Sequence, residues 1–274
     1  MTEAAVPPSP RATPDRTAAA PAPAVIAGHS ALECLLTTLL LFGVTTVVRW
    51  VAGPSRLSDA IPGIHLKLLV IGVCVGLLVV AIIRSRPGRI SGGHINPAVS
   101  LAMWRFGIFP AVAVLPYIAA QLVGSVLGVF AARALWGPAV GDPPVTDAML
   151  RPGPGWSAGE LFVAEAVSMG VIVYLIGLFL RSPRLARLVP WLVGFLICAA
   201  IALLGTVTGG SENPARPFGP AVVSGQGGFL WVYLLAPMVG SAVAAAVLNG
   251  AHSRHTVLTH RLCGTHRDRS PLRG

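Results

Sequence analysis

The sequence predicts an all-α membrane protein in which six transmembrane helices and two half-length helices form an inverted repeat. Hydrophobic residues make up 54% of the 274 residues and charged residues only 11%, whereas soluble domains carry about 25% charged residues. Six apolar stretches have roughly the 20 residues that a spanning helix needs. Two short segments in opposite halves of the chain both contain Asn-Pro-Ala, and these segments predict the half-helices.

The six apolar stretches define the predicted spans, which cover residues 31–52, 64–83, 108–135, 158–180, 188–207 and 229–248. An even number of spans places both termini on the same side of the membrane. Arginines concentrate after the second and fourth spans and in the C-terminal tail. The positive-inside rule therefore predicts a multi-pass protein of the plasma or inner membrane with both termini cytoplasmic. The net charge of +10 then faces anionic lipid and indicates no nucleic-acid partner.

Each Asn-Pro-Ala segment is typical of the start of a helix. The residues are Asn96, Pro97, Ala98, Asn213, Pro214 and Ala215. Asparagine is a favoured N-cap, and proline is tolerated in the first helical turn, where its missing N–H would be unpaired in any case. The apolar runs that follow are about half as long as a membrane is thick. Broken helices of this kind are tolerated at membrane depth only where they line a cavity.

An internal repeat connects the two halves. Glu33 lies early in the first span and Glu165 early in the fourth, and each half then has a second span, a Gly-rich loop, Asn-Pro-Ala and a last span. Because three spans are an odd number, the second half must be inverted in the membrane. We expect a disordered tail over residues 1–28, a membrane domain over 29–250 with repeats at about 29–136 and 157–250, and a basic tail over 251–274.

These motifs resemble those of the aquaporin (major intrinsic protein) family over about residues 31–250. The matching pieces are Ser-Gly-Gly-His-Ile-Asn-Pro-Ala-Val at 91–99, Asn-Pro-Ala-Arg-Pro-Phe-Gly-Pro-Ala at 213–221, and the two glutamates. The resemblance implies one pore per subunit within a homotetramer in the lipid bilayer. It also implies passive conduction of water or small neutral solutes without a cofactor.

Asn96, Asn213 and Arg216 are the predicted determinants of ion exclusion. Each asparagine can cap its half-helix through the side-chain oxygen and direct amide N–H donors into the pore. The two helix N-termini add roughly half a positive charge each at the same place, which opposes cations and protons. A charge within a span is costly and usually faces a cavity, and the resemblance places Arg216 at the outer constriction.

The resemblance assigns Gly76, Ile201 and Gly210 to the selectivity filter beside Arg216. Gly76 lies twenty residues before Asn96, while Ile201 and Gly210 precede the second asparagine by twelve and three. Water-selective members of the family usually have an aromatic residue and a histidine at the first two positions. This sequence therefore predicts a wide filter that admits glycerol, urea or neutral metalloid acids. Another aromatic residue, Phe42 or Phe195, could narrow it instead.

Three further features have predicted roles. The resemblance implies that Glu33 and Glu165 brace the Asn-Pro-Ala loops as buried structural acids. Glu212, where the family usually has an apolar residue, is expected to pair with Arg216 or another arginine. A group of potential metal ligands in the C-terminal tail is interpreted as part of a solvated tail and not as a metal site; it comprises His252, His255, His260, Cys263 and His266.

The sequence is also compatible with functions other than a passive channel. The inverted repeat alone also allows a coupled secondary transporter, but no isolated Asp or Lys lies deep in a span to bind a driving ion. A water-only channel and a non-conducting scaffold of the same fold are further alternatives. An enzyme is the least favoured alternative, because no set of a nucleophile and a base and no metal-ligand spacing stands out in the sequence.

Overall fold

The computed structural model describes residues 21–251 and 257–265. Regular structure within these residues is helical, without strands. The α-helices are α1 (Pro23–Val51), α2 (Arg56–Ala60), α3 (Ile64–Arg84), α4 (Arg86–Ser91), α5 (Pro97–Arg105), α6 (Ala111–Trp136), α7 (Ala158–Leu180), α8 (Pro183–Ala186), α9 (Val189–Leu204), α10 (Ala215–Ser224) and α11 (Leu230–Ala251). Two short 3₁₀ turns, Pro138–Val140 and Thr146–Ala148, lie between α6 and α7.

The predicted all-α membrane architecture is confirmed. Helices α1, α3, α6, α7 and α11 are long and apolar enough to cross a membrane. The remaining predicted span, α9, has 16 residues and is about 24 Å long. It ends at Leu204 and not near residue 207 as predicted, because the chain turns there, where the N–H groups of Val207 and Thr208 bond to the carbonyl of Leu204.

Helix α1 begins earlier than predicted, at Pro23, where proline occupies the first helical turn. Residues 23–28 therefore belong to the first helix and not to a disordered tail. Residues 1–20 of the predicted tail lie outside the described residues.

The two halves pack in the same way. Helix α1 contacts α6, α7 contacts α11, and α3 contacts α9 across the halves. Glycine permits the first two contacts: a Cβ atom on Gly124 would lie 2.3 Å from the carbonyl oxygen of Cys34, and one on Gly240 would lie 1.9 Å from that of Ala166. Cys34 and Ala166 each directly follow the buried glutamate of their helix. Small residues at such contacts allow helix backbones to approach closely in a membrane.

The half-helices α5 and α10 connect the two repeats. Helix α5 packs against α11, and α10 packs against α6. Each half-helix thus rests on the last helix of the other repeat, so the N-termini of both half-helices meet in the interior of the bundle.

The segment of residues 257–265 is not a solvated tail, which corrects our expectation for this part of the chain. Val257 and Leu262 are only 4% and 1% exposed. The N–H of Leu258 donates to the carbonyl of Leu180 at 3.1 Å, and the N–H of Leu262 donates to that of Gly92 at 3.0 Å. The interpretation of His252, His255 and His266 concerns positions outside the described residues.

Candidate functional site

A cavity of about 60 Å³ lies in the interior of the bundle, with room for a few water-sized molecules. Helices α1, α3, α7 and α9 supply a wall of aliphatic side chains. The polar groups come from the two loops and from α10; they are His94, Asn96, Ser211, Asn213 and Arg216. An apolar wall with a few placed donors can conduct small polar molecules while it holds them weakly.

The two asparagines cap the half-helices as their positions predict. The Oδ1 atom of Asn96 accepts from the N–H of Ala98 at 2.8 Å. The Oδ1 atom of Asn213 accepts from the N–H of Ala215 at 2.9 Å. Both asparagines are 7% exposed and line the cavity. The side-chain oxygen is therefore fixed on the helix, which leaves the amide nitrogen as the donor of each group.

The amide nitrogens link the two loops reciprocally. The Nδ2 atom of Asn96 donates to the carbonyl of Glu212, and that of Asn213 donates to the carbonyl of Ile95, both at 2.9 Å. Ile95 and Glu212 both have a φ of 45°, which is unusual for residues with side chains. Each nitrogen carries two N–H donors, and these bonds use one of them. The second donor of each amide is thus left to the cavity.

Glu33 holds the first loop through four hydrogen bonds. Its Oε1 accepts from the hydroxyl of Ser91 at 2.6 Å and from the N–H of His94 at 3.1 Å. Its Oε2 accepts from the N–H of Ile95 at 2.6 Å and from the side-chain amide of Gln121 at 2.9 Å. Glu33 is completely buried, so these four donors satisfy a group that would otherwise be costly inside the bundle.

Glu165 occupies the equivalent place in the second half. Its two carboxyl oxygens accept from the backbone N–H of Ser211 at 3.3 Å and of Glu212 at 2.9 Å. Like Glu33, it is completely buried. The two glutamates thus fix the backbone directly before each asparagine.

Paired hydroxyls, whose role sequence reasoning missed, complete the support of the loops. Ser125 donates to the carbonyl of Ala215 at 2.5 Å, and Ser241 donates to that of Ala98 at 2.6 Å. Both serines follow the glycines of the repeated Val-Gly-Ser tripeptide in α6 and α11. That repeat was the available signal, but only the structure shows that each serine binds the half-helix of the opposite repeat.

Arg216 is held by the loop between α6 and α7. Its Nη1 donates to the carbonyl of Ala148 at 2.8 Å. The neighbouring Asp147 accepts two bonds from Arg133, at 2.6 and 2.7 Å, and is completely buried. The bidentate pair fixes the loop in which Ala148 lies, so that the carbonyl of Ala148 orients the guanidinium at the cavity.

The expectation that Glu212 pairs with an arginine is wrong. Its Oε1 accepts from the hydroxyl of Ser168 at 3.0 Å, and the side chain is not among those that line the cavity. The ion pair that the structure shows within residues 21–251 and 257–265 joins Arg133 and Asp147. The backbone of Glu212 bends back through the second loop, and this directs its carbonyl to Asn96 and its side chain towards α7.

Of the predicted filter residues, Ile201, Gly210 and Arg216 lie together in the cavity wall. Gly210 has a φ of 61°, and a Cβ there would lie 2.8 Å from the carbonyl oxygen of Ala200, so a side chain is excluded. Phe195, considered as a narrowing residue, is 67% exposed. Neither it nor Phe42 lines the cavity.

Gly76 does not reach this cavity. A Cβ there would lie 2.4 Å from the carbonyl oxygen of Gly194, so the position serves close packing of α3 against α9. Val75 lines the cavity instead, together with Val79 and Ile83 at spacings of four residues. Counting twenty residues back from Asn96 selects the wrong face of α3, because a step of one residue along a helix rotates the side-chain direction by about 100°.

The fold and motifs are shared with known channels. The family model for the major intrinsic protein matches residues 24–248. A probable aquaporin NIP7-1 of Arabidopsis thaliana is 32% identical over 213 residues, covering 77% of this chain and 72% of the relative. A probable aquaporin AqpM of Archaeoglobus fulgidus is 36% identical over 185 residues, covering 65% of this chain and 74% of the relative.

A solved structure has the same fold. The aquaglyceroporin from Plasmodium falciparum superposes with a TM-score of 0.64 and 22% sequence identity, covering 81% of this chain and 95% of that chain. The family match is consistent with the paired half-helices and with the cavity between them. This chain belongs to the major intrinsic protein family, and it is a multi-pass membrane channel for water or small solutes and not an enzyme.

Proposed function

We propose that this channel conducts water together with small neutral solutes such as glycerol, urea and metalloid acids, and excludes ions and protons. The observation that carries the proposal is the electrostatics of the cavity. Two half-helix N-termini, each with roughly half a positive charge, meet at Asn96 and Asn213, and Arg216 adds a full positive charge. Lining residues within the described chain include no Asp, Glu or Lys.

Ion exclusion follows from that arrangement. A cation in the cavity meets like charge in a low-dielectric surrounding, where interactions are several times stronger than in water. The fixed amide donors of the two asparagines orient a passing water molecule with its oxygen towards the centre, which opposes proton transfer along a water file. Neutral solutes experience neither effect, so they remain permeant.

The proposed aperture consists of Val75, Ile201, Gly210 and Arg216. Two aliphatic side chains and a bare backbone surround the guanidinium, so one side is apolar and the other supplies hydrogen-bond donors. This combination suits a polyol, whose carbon chain can contact Val75 and Ile201 while its hydroxyls accept from Arg216. A water-only channel is the competing possibility for the same residues.

Stopped-flow light scattering on proteoliposomes tests the proposal. Osmotic gradients of sucrose, glycerol, urea and boric acid are applied in turn, with empty liposomes as the reference. We expect fast water flux and measurable flux of at least one neutral solute. Fast water flux with exclusion of all three neutral solutes would establish a water-only channel.

A coupled secondary transporter is tested with the same vesicles. An imposed pH or sodium gradient is expected to leave the solute distribution unchanged, because the cavity wall within the described residues has no acidic or lysine side chain to bind a driving ion. Accumulation of solute against its own gradient would overturn passive conduction.

The Val75→Phe variant tests the aperture. A phenyl ring in the wall is expected to reduce glycerol flux at least fivefold and water flux much less, because width limits the larger solute. Val243→Phe is the matched control, since Val243 is 56% exposed on α11, away from the cavity and from the helices of the proposed subunit contact. An equal reduction by both variants would mean that Val75 does not limit the path.

We also propose a homotetramer. An apolar groove of about 880 Å³ lies between α7 and α9 on the outer surface. Helices α1 and α3 expose large side chains, among them Leu39, Leu69 and Leu77. A groove on one side and a ridge on another support a head-to-tail contact, which closes into a ring. Native mass spectrometry in detergent is expected to give a mass of four chains; a monomer at all detergent concentrations would contradict it.

The proposed orientation has both termini in the cytoplasm. It rests on the arginine-rich loops after α3 and α7, which include Arg84 and Arg184. Labelling of single cysteines placed in these loops, with an impermeant thiol reagent applied to intact cells, is expected to fail until the cells are opened. Labelling in intact cells would reverse the orientation.

A further inference from the structure

Residues 257–265, called the inner segment below, follow α11 in the sequence and pack against the bundle. They lie against the loop before α5, the end of α7 and helix α8. The segment has no regular secondary structure, yet Val257, Thr259, His260 and Leu262 are all buried. A segment that buries four side chains without a helix or strand is held by specific contacts.

His94 provides the central contact. Its Nε2 lies 3.0 Å from the carbonyl oxygen of His260, so this nitrogen is the donor, and its Nδ1 lies 3.1 Å from the hydroxyl of Ser100. The ring of His260 packs edge-on against that of His94 with centroids 5.8 Å apart, and lies 5.5 Å from the ring of Phe109. His94 precedes Asn96 by two residues and lines the cavity, so the inner segment is bound to the pore wall itself.

Leu262 reaches the cavity. It is one of the lining residues, together with Ile83 and His94, and its N–H donates to the carbonyl of Gly92. Leu262 is 1% exposed, as is His94. The docked segment thus holds the Leu262 side chain inside the bundle, in the wall of the cavity.

The attachment differs from that of the two half-helix loops. The contacts that hold the inner segment include two backbone hydrogen bonds, the contact of His260 with His94 and buried side chains, whereas the loops of the two half-helices are each fixed by a buried glutamate. Gly264 packs tightly on the carbonyl of Ala186 in α8.

We propose that the inner segment is an autoinhibitory element of the channel. In the docked state, Leu262 narrows the inner end of the conduction path, and release of the segment from His94 opens it. The proposal adds a second, inner constriction to the aperture at Arg216, and it rests on the conduction proposed above.

Two variants test the element, with permeability normalised to the amount of incorporated protein. Leu262→Ala shortens the side chain in the cavity, and deletion of residues 252–274 removes the whole segment. We expect each variant to raise water permeability at least threefold above that of the wild-type channel. Cys263→Ser is the matched control and is expected to leave water permeability unchanged, because Cys263 is not among the residues that line the cavity and serine keeps a polar contact with the hydroxyl of Thr265.

Thiol labelling reports release directly. Cys263 is half-buried, while Cys34, Cys74 and Cys198 lie within α1, α3 and α9. Labelling of Cys263 by an impermeant maleimide, in vesicles with the cytoplasmic face outside, is expected to be at least threefold faster in the Leu262→Ala variant than in the wild type. Equal labelling rates would show that Leu262 does not hold the segment against the bundle, and would overturn the role given to this side chain.

The outcomes separate the two proposals. Equal water permeability of the wild type, Leu262→Ala and the deletion variant would overturn autoinhibition and leave the channel intact. Lower permeability in Leu262→Ala would show a structural wall and would also overturn it. If the deletion variant fails to fold, the water permeability of the Leu262→Ala variant alone tests autoinhibition. If no variant conducts any solute, the proposed conduction fails, and with it any inhibition.

Discussion

Replacing Glu33 by glutamine tests how strongly the first loop depends on one carboxyl group. Each carboxyl oxygen accepts one backbone N–H, from His94 at Oε1 and from Ile95 at Oε2. A glutamine amide has a single acceptor oxygen, so in either orientation one buried N–H faces an NH₂ group. The side-chain donor that shares the same oxygen, either Ser91 or Gln121, must also find another acceptor.

The magnitude follows from these contacts. A buried donor without a partner costs about 1–3 kcal/mol, and two such donors cost about 2–6 kcal/mol. Folded proteins are stable by only about 5–15 kcal/mol in total, so the loss is a large fraction of the stability. With a shift of about 2–4 °C per kcal/mol for a chain of roughly this size, the variant is expected to unfold roughly 5–20 °C below the wild type.

The assay is the temperature at which half of the protein remains monodisperse on size-exclusion chromatography in detergent. Glu160→Gln is the matched control. Glu160 is exposed and accepts from Ser157 in the capping box at the start of α7, where glutamine serves equally well. If Glu33→Gln unfolds within about 2 °C of the wild type, the carboxyl does not hold the loop in the way that its four bonds indicate.

Two further substitutions address the outer constriction. Arg216→Val is expected to raise the leak of cations or protons at least tenfold while the flux of neutral solutes persists, whereas the control Arg151→Val, which removes an exposed arginine, leaves ion flux unchanged. A pH-sensitive dye inside the vesicles measures the proton leak. An unchanged leak in both variants would show that Arg216 is not part of the ion barrier. Asp147→Ala breaks the pair with Arg133 and is expected to raise the ratio of glycerol to water permeability at least twofold, because the carbonyl that orients the guanidinium is no longer fixed. Asp142→Ala, an exposed acid in the same loop, serves as its control, and an equal ratio in both variants would show that the pair has no influence on the filter.

The sequence predicted the parts of the fold that depend on local chemistry. Asn-Pro-Ala marks the start of each half-helix because capping requires residues adjacent in sequence. The apolar spans follow from composition alone. The repeat of Glu33 and Glu165 indicated acids that brace the two loops, and both accept backbone N–H groups there.

The remaining parts depend on contacts between residues far apart in sequence. The assignment of Gly76 to the filter was wrong because it depended on a count of residues, and an error of one position selects another face of α3. The partner of Glu212 is Ser168 in α7, which no local pattern reveals. The inner segment was interpreted as solvated because its histidines lie among many arginines. It is bound through backbone hydrogen bonds to Leu180 and Gly92 and through buried side chains, and composition does not record such contacts.

The reciprocal bonds of Asn96 and Asn213 have a consequence for biogenesis. Each amide donates to a carbonyl in the other repeat, and each half-helix rests on the last helix of the other repeat. The first repeat therefore leaves the ribosome with a loop that lacks its acceptor and a half-helix without its supporting surface. The first repeat can be completed only after α11 has been synthesised, so the wall of the conduction path is the last part of the fold to form. A chain that stalls after the fourth span therefore exposes an unfinished loop to cellular quality control.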